Sequence, residues 1–202
     1  MKNKENLSNF FSSYINSLSQ SLKEVNPKDL EKIFIVLKKS IKAGSRIYTC
    51  GNGGSSSIAE HLACDFVKQA STDSKINPRV FPLLTTPILT ALGNDISYDD
   101  IFSYQLKKYG EKKDILLSIS SSGNSPNVIK AIKTAKDLGM ISISFLGFKG
   151  GKAKKISDFY IHINSENYGI CEDSHQILMH MFSQFLRIDN LEDDSKLSKL
   201  RL

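Results

Sequence analysis

Histidine and carboxylate side chains lie at helical spacing around residues 60–65. His61 and Asp65 are four positions apart, so they share one face of a predicted helix. An imidazole and a carboxylate on one face can hold one metal ion, or act as acid and base on one substrate. A polar helix surface exposed to solvent would show the same spacing. The pair is therefore a candidate catalytic or metal site, and its spacing alone does not choose between these interpretations.

A second group of titratable residues lies in the last predicted helix, at about residues 171–187. Its members are Glu172, Asp173, His175 and His180. A histidine among apolar side chains is often a satisfied core residue. Glu172 and His180 are eight positions apart, or roughly 12 Å along a helix axis, too far to reach one metal ion from one continuous helix. Either Glu172 precedes the helix, or the two residues act in different sites of an oligomer, which would place the active sites at subunit interfaces.

Hydroxyl groups are concentrated in the turn at residues 120–125, which reads Ser-Ser-Ser-Gly-Asn-Ser. The apolar run at 114–119 predicts a buried strand before it, and apolar residues at helical spacing over 128–135 predict a helix after it. Ser125 suits the N-cap of that helix and Pro126 its first position. Hydroxyl and backbone N–H groups at the positive end of a helix are suited to bind phosphate. An ordinary polar loop is the alternative, but this composition favours an anion site.

Two more turns rich in glycine and asparagine could line a site. Residues 51–57, Gly-Asn-Gly-Gly-Ser-Ser-Ser, follow a strand at 46–50 and precede a helix from about residue 58. Ligands of parallel sheets bind at the carboxyl ends of strands, where this turn and the serine turn both lie. Gly93-Asn94-Asp95 follows a strand less directly. The dinucleotide-binding pattern G-x-G-x-x-G and the Walker A loop are both absent from the sequence.

Strands and helices alternate between these turns. Further strands are predicted at residues 79–84, 141–146 and 159–163, the first interrupted or near an edge because Pro82 cannot donate to a ladder. The alternation predicts an α/β fold, with a mainly parallel sheet flanked by helices, as a single domain over 1–202. Two amphipathic helices within residues 1–44 lead the chain, and they can cover a sheet face or pack on another subunit. Residues 190–202 form a charged tail.

Composition is typical of an ordinary soluble protein. The 202 residues are 40% hydrophobic, 24% charged and carry a net charge of +6. No apolar run approaches the ~20 residues of a membrane span, and the N-terminus lacks the apolar core of a signal peptide, so we expect a cytoplasmic protein without membrane contact. Nucleic-acid binding would require a focused basic face with aromatic platforms, and the sequence shows no such pattern, so we expect no nucleic-acid partner. The three cysteines do not suggest a disulfide framework, and each is expected to be a small buried residue.

Taken together, these motifs resemble those of sugar isomerase (SIS) domains, and among them the phosphoheptose isomerases. The resemblance spans nearly the whole chain, including the two leading helices. The serine turn is specific for the SIS fold, and the histidine positions indicate this isomerase. The motifs that carry it are Gly51-Asn52-Gly53-Gly54-Ser55, His61-x-x-x-Asp65, Gly93-Asn94-Asp95, Ser120-x-Ser122-Gly123-Asn124-Ser125 and His180.

The resemblance implies a role for each matching residue. Ser120, Ser121, Ser122 and Ser125 would bind the phosphate. Asn52, Gly53, Gly54 and Ser55 would line the sugar pocket, which Asn94, Asp95 and Glu172 would also contact. The metal positions are His61, Asp65, Glu172 and His180, and the family often holds zinc there. Asp65 and His180 fall on the catalytic base and acid. The family also implies a homotetramer with sites between subunits.

Two positions depart from the usual family pattern. The family generally has Glu where this chain has Asp65, and Gln where it has Glu172. The Asp65 carboxylate is one methylene shorter, although a general base must come within ~3 Å of the proton that it removes. Glu172 adds a negative charge, which should hold a divalent cation more firmly and lower its Lewis acidity. These departures leave open that the substrate or the metal differs from those usual in the family.

The resemblance implies conversion of sedoheptulose 7-phosphate to glycero-manno-heptose 7-phosphate through an enediol. Asp65 would remove a proton, His180 would deliver or relay one, and a metal at His61 would polarise the carbonyl. One alternative is a SIS module that binds a sugar phosphate or a protein partner without catalysis. Another is an isomerase of a different phosphosugar. His61 and His180 favour an enzyme, since a module that only binds would not need them.

Overall fold

A five-stranded parallel sheet forms the centre of the fold, with the strand order β2-β1-β3-β4-β5. The computed structural model describes residues 6–193 and residue 195. The strands are β1 (Arg46–Cys50), β2 (Arg79–Pro82), β3 (Ile115–Ser120), β4 (Ile141–Leu146) and β5 (Phe159–His162). The predicted parallel sheet is confirmed. Pro82 is the last residue of an edge strand, where its missing N–H breaks no ladder.

Eight α-helices surround the sheet in the described part of the chain. They are α1 (Leu7–Lys23), α2 (Pro27–Lys42), α3 (Gly54–Lys68), α4 (Thr86–Asp95), α5 (Ile101–Tyr109), α6 (Pro126–Asp137), α7 (Ala153–Ile156) and α8 (Tyr168–Ile188). A 3₁₀ turn at Tyr98–Asp100 leads into α5. The α/β fold class and the single domain are as predicted. None of the described helices is long and apolar enough to cross a lipid bilayer.

The order of the strands brings two of the predicted turns together. β1 continues through α3 to β2 on one side, whereas β3 continues through α6 to β4 on the other. Right-handed crossovers in opposite directions place α3 and α6 on opposite faces of the sheet. β1 and β3 are hydrogen-bonded neighbours, and Cys50 lies opposite Ser118. The turns after these two strands therefore flank the crevice where such sheets bind ligands.

The two leading helices have different roles within the chain. α2 packs against β5 and α8, whereas α1 packs against α8. The Tyr14 hydroxyl of α1 donates a hydrogen bond to Asp173 Oδ2 at 2.7 Å. Burial, followed by the hydrogen bond to Asp173, raises the pKa of Tyr14 to about 12, so the phenol stays a donor at neutral pH. The other side of α1 exposes Leu7, Phe10, Phe11 and Ile15 to solvent.

Several element boundaries differ from the predicted ones. α3 begins at Gly54, not near residue 58, because Gly53 has a φ of +55° and turns the chain directly from the loop into the helix. α4 continues to Asp95, so Gly93-Asn94-Asp95 is the last turn of a helix and not a separate loop. The short helix α7 was not predicted. Cys64 is exposed, although Cys50 and Cys171 are buried as expected.

α8 begins at Tyr168, three residues earlier than predicted, because the Asn167 side chain accepts a hydrogen bond from the Ile170 N–H at 3.2 Å. Glu172 therefore lies inside the helix, and the interpretation that it precedes the helix is wrong. The predicted tail at 190–202 is described only in part. Its first residues pair with the loop at 73–75. Leu191 forms an isolated β-bridge with Ser74, and the Lys75 N–H donates a hydrogen bond to the Asn190 carbonyl.

His175 is a fully buried histidine on α8, beside Phe145. Neither ring nitrogen meets a partner with hydrogen-bond geometry in the described structure. Burial lowers the pKa of His175 from 6.5 to about 4, and the nearby backbone of Leu146 opposes this shift only in part. The folded protein therefore contains a neutral imidazole that the unfolded chain would protonate in mild acid.

Replacement of His175 by leucine should remove an acid-dependent loss of stability. The pKa of His175 is lower in the folded state than in the unfolded state, so its contribution is complete above pH 6.5 and is lost as pH falls towards 4. Between pH 7 and pH 5, the free energy of unfolding should fall by roughly 2 kcal/mol more in the unmodified protein than in His175→Leu. Urea titrations at both pH values measure this difference. Equal losses in the two proteins would contradict it.

Candidate functional site

A cavity of about 320 Å³, called the serine cavity below, lies at the carboxyl ends of β1 and β3. It collects the glycine turn after β1, the serine turn after β3 and the start of α8. Nine predicted substrate residues line it, namely Asn52, Gly53, Gly54, Ser55, Ser120, Ser121, Ser122, Ser125 and Glu172. Tyr168 and Ile119 complete the lining. Sequence analysis missed Tyr168, whose position on the first turn of α8 became visible only once the helix was seen to begin there.

The serine turn holds its shape through its own hydroxyl groups. Ser120 Oγ accepts a hydrogen bond from the Gly123 N–H at 3.1 Å, and Ser122 Oγ accepts one from the Asn124 N–H at 3.2 Å. Ser121 Oγ is buried and has no partner in the described structure. Ser125 occupies the N-cap position of α6, but its side chain makes no capping bond. Neither hydroxyl group therefore has a hydrogen-bond partner within the described structure.

Gly123 allows the serine turn to pack against the loop that follows β4. Its φ is +62°, and a Cβ at this position would overlap the carbonyl of Gly150. Asn124 Oδ1 also accepts a hydrogen bond from the Lys152 N–H at 3.0 Å. This close backbone approach holds the serine turn against the loop, and it requires glycine at position 123.

Asn52 joins the two turns instead of pointing freely into the cavity. Its amide exchanges two hydrogen bonds of 2.9 Å with the amide of Asn127, and its Oδ1 also accepts the Tyr98 hydroxyl at 3.2 Å. The structure does not bring Asn94 and Asp95 into the cavity lining. The Asn94 amide donates to Asp95 Oδ1 at 2.7 Å, at the exposed end of α4. Contact between these two residues and a substrate remains a prediction.

Glu172 places a carboxylate beside the glycine turn. A Cβ on Gly54 would overlap the carboxyl group of Glu172, so the glycine makes room for it. Burial raises the pKa of Glu172, and the negative charge of Asp173 raises it further. None of the described residues that line the cavity is cationic. An anion in the cavity would therefore be held by hydroxyl groups, backbone N–H groups and the positive ends of α3 and α6.

A second cluster lies farther along α3 and α8 and contains His61, Asp65 and His180. His180 Nδ1 is 2.9 Å from Asp65 Oδ2, and His61 Nε2 is 3.5 Å from Asp65 Oδ1. Asp65 is the inner member, since its side chain is 14% exposed against 47% for His61 and 39% for His180. One ligand atom from each residue lies within 4.8 Å of the others. Two imidazoles and a carboxylate at this spacing fit a divalent cation of the zinc type.

Glu172 does not belong to this cluster. It lies two turns nearer the start of α8 than His180, roughly 12 Å along the axis, and it lines the serine cavity instead. A single chain therefore brings together three of the four predicted metal ligands.

Gln176, which sequence analysis missed, lies next to the histidines. Its Nε2 is 2.8 Å from His61 Nδ1 and 3.0 Å from His180 Nε2. Its position four residues before His180 places it on the same face of the helix, and this spacing was the feature of the sequence that could have identified it.

α3 and α8 run parallel and carry both halves of the site. Gly54 meets Glu172 near the start of the two helices, and His61 meets Gln176 one to two turns farther along. The serine cavity and the histidine cluster are therefore separate within one chain.

Comparison with known proteins places these features in a family. Residues 10–147 match the model of the SIS domain. The chain is 36% identical to the phosphoheptose isomerase of Clostridium acetobutylicum over 76% of this chain and 79% of that protein. It is also 36% identical to the phosphoheptose isomerase of Aliarcobacter butzleri, over 83% and 87% of the two chains. The structure of phosphoheptose isomerase GmhA from Neisseria gonorrhoeae superposes with a TM-score of 0.81, at 27% identity, over 89% of this chain and 96% of that one.

Substitution of Gly123 by alanine should displace the serine turn and weaken anion binding. A side chain at its positive φ costs of order 1–3 kcal/mol, and the new Cβ would also push the two loops apart. Urea unfolding and calorimetric titration with inorganic phosphate measure the two effects. Gly93→Ala is the control for stability, because open space surrounds Gly93 inside α4 and alanine should be neutral or stabilising there. Phosphate binding that is unchanged in Gly123→Ala would rule out the serine turn as the anion site.

Proposed function

The chain belongs to the phosphoheptose isomerases of the SIS-domain family, and we propose here how its own residues carry out the isomerisation. The protein is a phosphosugar isomerase. The substrate that we propose is sedoheptulose 7-phosphate, converted to glycero-manno-heptose 7-phosphate. The hydrogen-bonded pair of Asp65 and His180, at 2.9 Å, is the observation that most supports catalysis over binding alone.

We assign phosphate binding to the serine cavity. The hydroxyl groups of Ser121 and Ser125 have no other partner in the described structure. The N-termini of α3 and α6 both face this region, where backbone N–H groups favour negative charge. Binding the phosphate there fixes one end of the sugar, so the carbonyl end is held in a defined place for proton transfer.

Proton transfer is assigned to Asp65 and His180. Isomerisation moves a proton between C1 and C2 through an enediol, so a group must take a proton from one carbon and return it to the other. The Asp65 carboxylate holds Nδ1 of His180, which turns Nε2 away from Asp65 and orients the ring. In the family, these positions are the base and the acid, and the shorter Asp65 side chain reaches His180 directly. The two residues therefore act as one coupled acid–base pair.

A divalent metal, with zinc as the first candidate, is part of the proposal. His61, Asp65 and His180 would hold it within one chain. Such an ion, when bound, polarises a carbonyl oxygen as a Lewis acid.

We also propose a homotetramer in which subunits share sites. The serine cavity and the histidine cluster lie one to two helical turns apart on each chain, and we propose that residues of two chains complete each site. Ile177, Met181 and Phe185 are exposed on α8 around His180, and α1 also exposes apolar side chains. Such a surface is typical of an interface with another protein. In this assembly the N-terminal helices at 1–44 would form contacts, and Glu172 of the partner subunit would supply the fourth metal ligand.

We propose that the enzyme acts in the cytoplasm, with a phosphorylated sugar as its partner and with neither nucleic acid nor membrane. Its substrate carries charge and is retained inside the cell. Fractionation of cells that produce the protein tests this assignment.

Ser122→Ala and His180→Ala should separate binding from chemistry. Ser122→Ala removes the hydroxyl group that accepts the Asn124 N–H and shapes the serine turn, so it should raise KM for sedoheptulose 7-phosphate up to about tenfold, since a lost hydrogen bond is worth ~0.5–1.5 kcal/mol. His180→Ala should lower kcat at least a hundredfold, as expected for loss of general acid–base catalysis worth ~10²–10⁴-fold. Ser45→Ala, at the opposite end of β1, is the control for a serine outside the serine turn. Near-normal turnover in His180→Ala would refute its role.

Chelation should lower the activity of the purified enzyme, and added zinc should restore it. The donor set of His61, Asp65 and His180 is suited to that ion. Metal content by mass spectrometry and turnover of sedoheptulose 7-phosphate are measured before and after chelation. Activity that does not respond to metal would support the isomerase assignment and exclude a catalytic role for a metal ion. Absence of activity in both states, in folded protein, would exclude sedoheptulose 7-phosphate as the substrate.

A further inference from the structure

Four side chains at the histidine cluster form a closed ring of polar contacts. Asp65 contacts His180 Nδ1 at 2.9 Å and His61 Nε2 at 3.5 Å. On the opposite side, Gln176 Nε2 contacts His61 Nδ1 at 2.8 Å and His180 Nε2 at 3.0 Å. Every ring nitrogen of the two histidines therefore faces either the carboxylate or the amide.

The hydrogens of this ring can be assigned one by one. A glutamine NH₂ group has two hydrogens and accepts none, so Gln176 donates one to each histidine. His61 Nδ1 and His180 Nε2 are then acceptors. The remaining hydrogens lie on His61 Nε2 and His180 Nδ1, where both face the carboxylate of Asp65. With the amide reversed, His180 would have to be a cation to donate to both the glutamine oxygen and Asp65.

We propose that Gln176 is a positioning residue that sets the tautomers of His61 and His180 and covers His180 Nε2 until a ligand arrives. This inference deepens the proposed function and rests on it for its catalytic meaning. Gln176 lies on the same helix as His180, one turn earlier, so rotation of its side chain alone uncovers the nitrogen. A substrate or a cation that uses His180 Nε2 must first displace the amide.

The two histidines should respond differently when the amide is removed. His180 has a second hydrogen bond to Asp65 at 2.9 Å, which still selects its Nδ1–H tautomer. His61 lies 3.5 Å from Asp65, too far for a strong hydrogen bond. Loss of Gln176 should therefore release the tautomer of His61 and leave that of His180 almost unchanged.

Nitrogen NMR of ¹⁵N-histidine-labelled, metal-free protein at pH 8 tests this difference. Gln176→Met retains the length of the side chain and removes its amide. The expected result is a single tautomer for each of His61 and His180 in the unmodified protein, and a mixture for His61 alone in Gln176→Met. Gln184→Met is the matched control, because Gln184 lies one turn after His180 and has no hydrogen bond to either histidine among the described contacts. An unchanged His61 signal in Gln176→Met would overturn the proposal.

Zinc binding, measured by competition with a chelating dye, separates positioning from ligation. Zinc affinity in Gln176→Met should equal or exceed that of the unmodified protein, because the amide that covers His180 Nε2 is gone. A tenfold or greater loss of affinity would instead make Gln176 a ligand and overturn its role as a cover.

Turnover provides the catalytic measurement. In Gln176→Met, kcat should fall about tenfold while KM changes little, since the serine cavity is untouched. Unchanged kcat would overturn the positioning role. If the unmodified protein were inactive, the proposed function would fail, but the NMR result would still decide whether Gln176 orients the histidines.

Discussion

The parallel packing of α3 against α8 is the contact on which both halves of the site depend. Near the start of the helices, the absence of a side chain on Gly54 lets the Glu172 carboxyl group approach the backbone. Farther along, His61 and Asp65 of α3 meet Gln176 and His180 of α8. Beyond the site the contact continues through polar bonds, since Ser183 Oγ donates to Gln69 Oε1 at 3.1 Å and Arg187 Nε donates to the Thr72 carbonyl at 3.0 Å. A shift of one helix along the other would therefore separate the acid–base pair.

The serine cavity depends on a different constraint, the reversal of direction in the sheet. Because β1 and β3 are neighbours whose chains continue to opposite sides, their following turns flank one crevice. The paired amides of Asn52 and Asn127 join those turns directly. Ser120 and Ser122 use their hydroxyl groups to stabilise the turn. In the proposed function, Ser121 and Ser125 would offer hydroxyl groups from a frame that is already formed, which lowers the entropic cost of binding.

The two departures from the family pattern have different physical consequences. Asp65 is shorter than glutamate, and its carboxylate lies between His61 and His180, 14% exposed. In this position it orients the imidazole of His180, with which we propose that it shares the acid–base function. Glu172 lies beside the serine cavity, where burial raises its pKa. A carboxylate there repels an anionic ligand more than glutamine would, and the serine cavity has no described cation to offset it.

Sequence alone determined the parts of this protein that depend on local order. Apolar runs and turn residues located the five strands. Strand–turn–helix patterns at residues 46–69 and 114–137 identified the two turns that line one cavity, since periodicity and capping act over a few residues. The spacing of His61 and Asp65 and the position of His180 marked the catalytic candidates. Tertiary structure alone decided that Asp65 reaches His180, that Glu172 lines the serine cavity, and that Gln176 closes the ring of polar contacts. These contacts join residues more than a hundred positions apart, and they form only because helix packing brings two distant faces together.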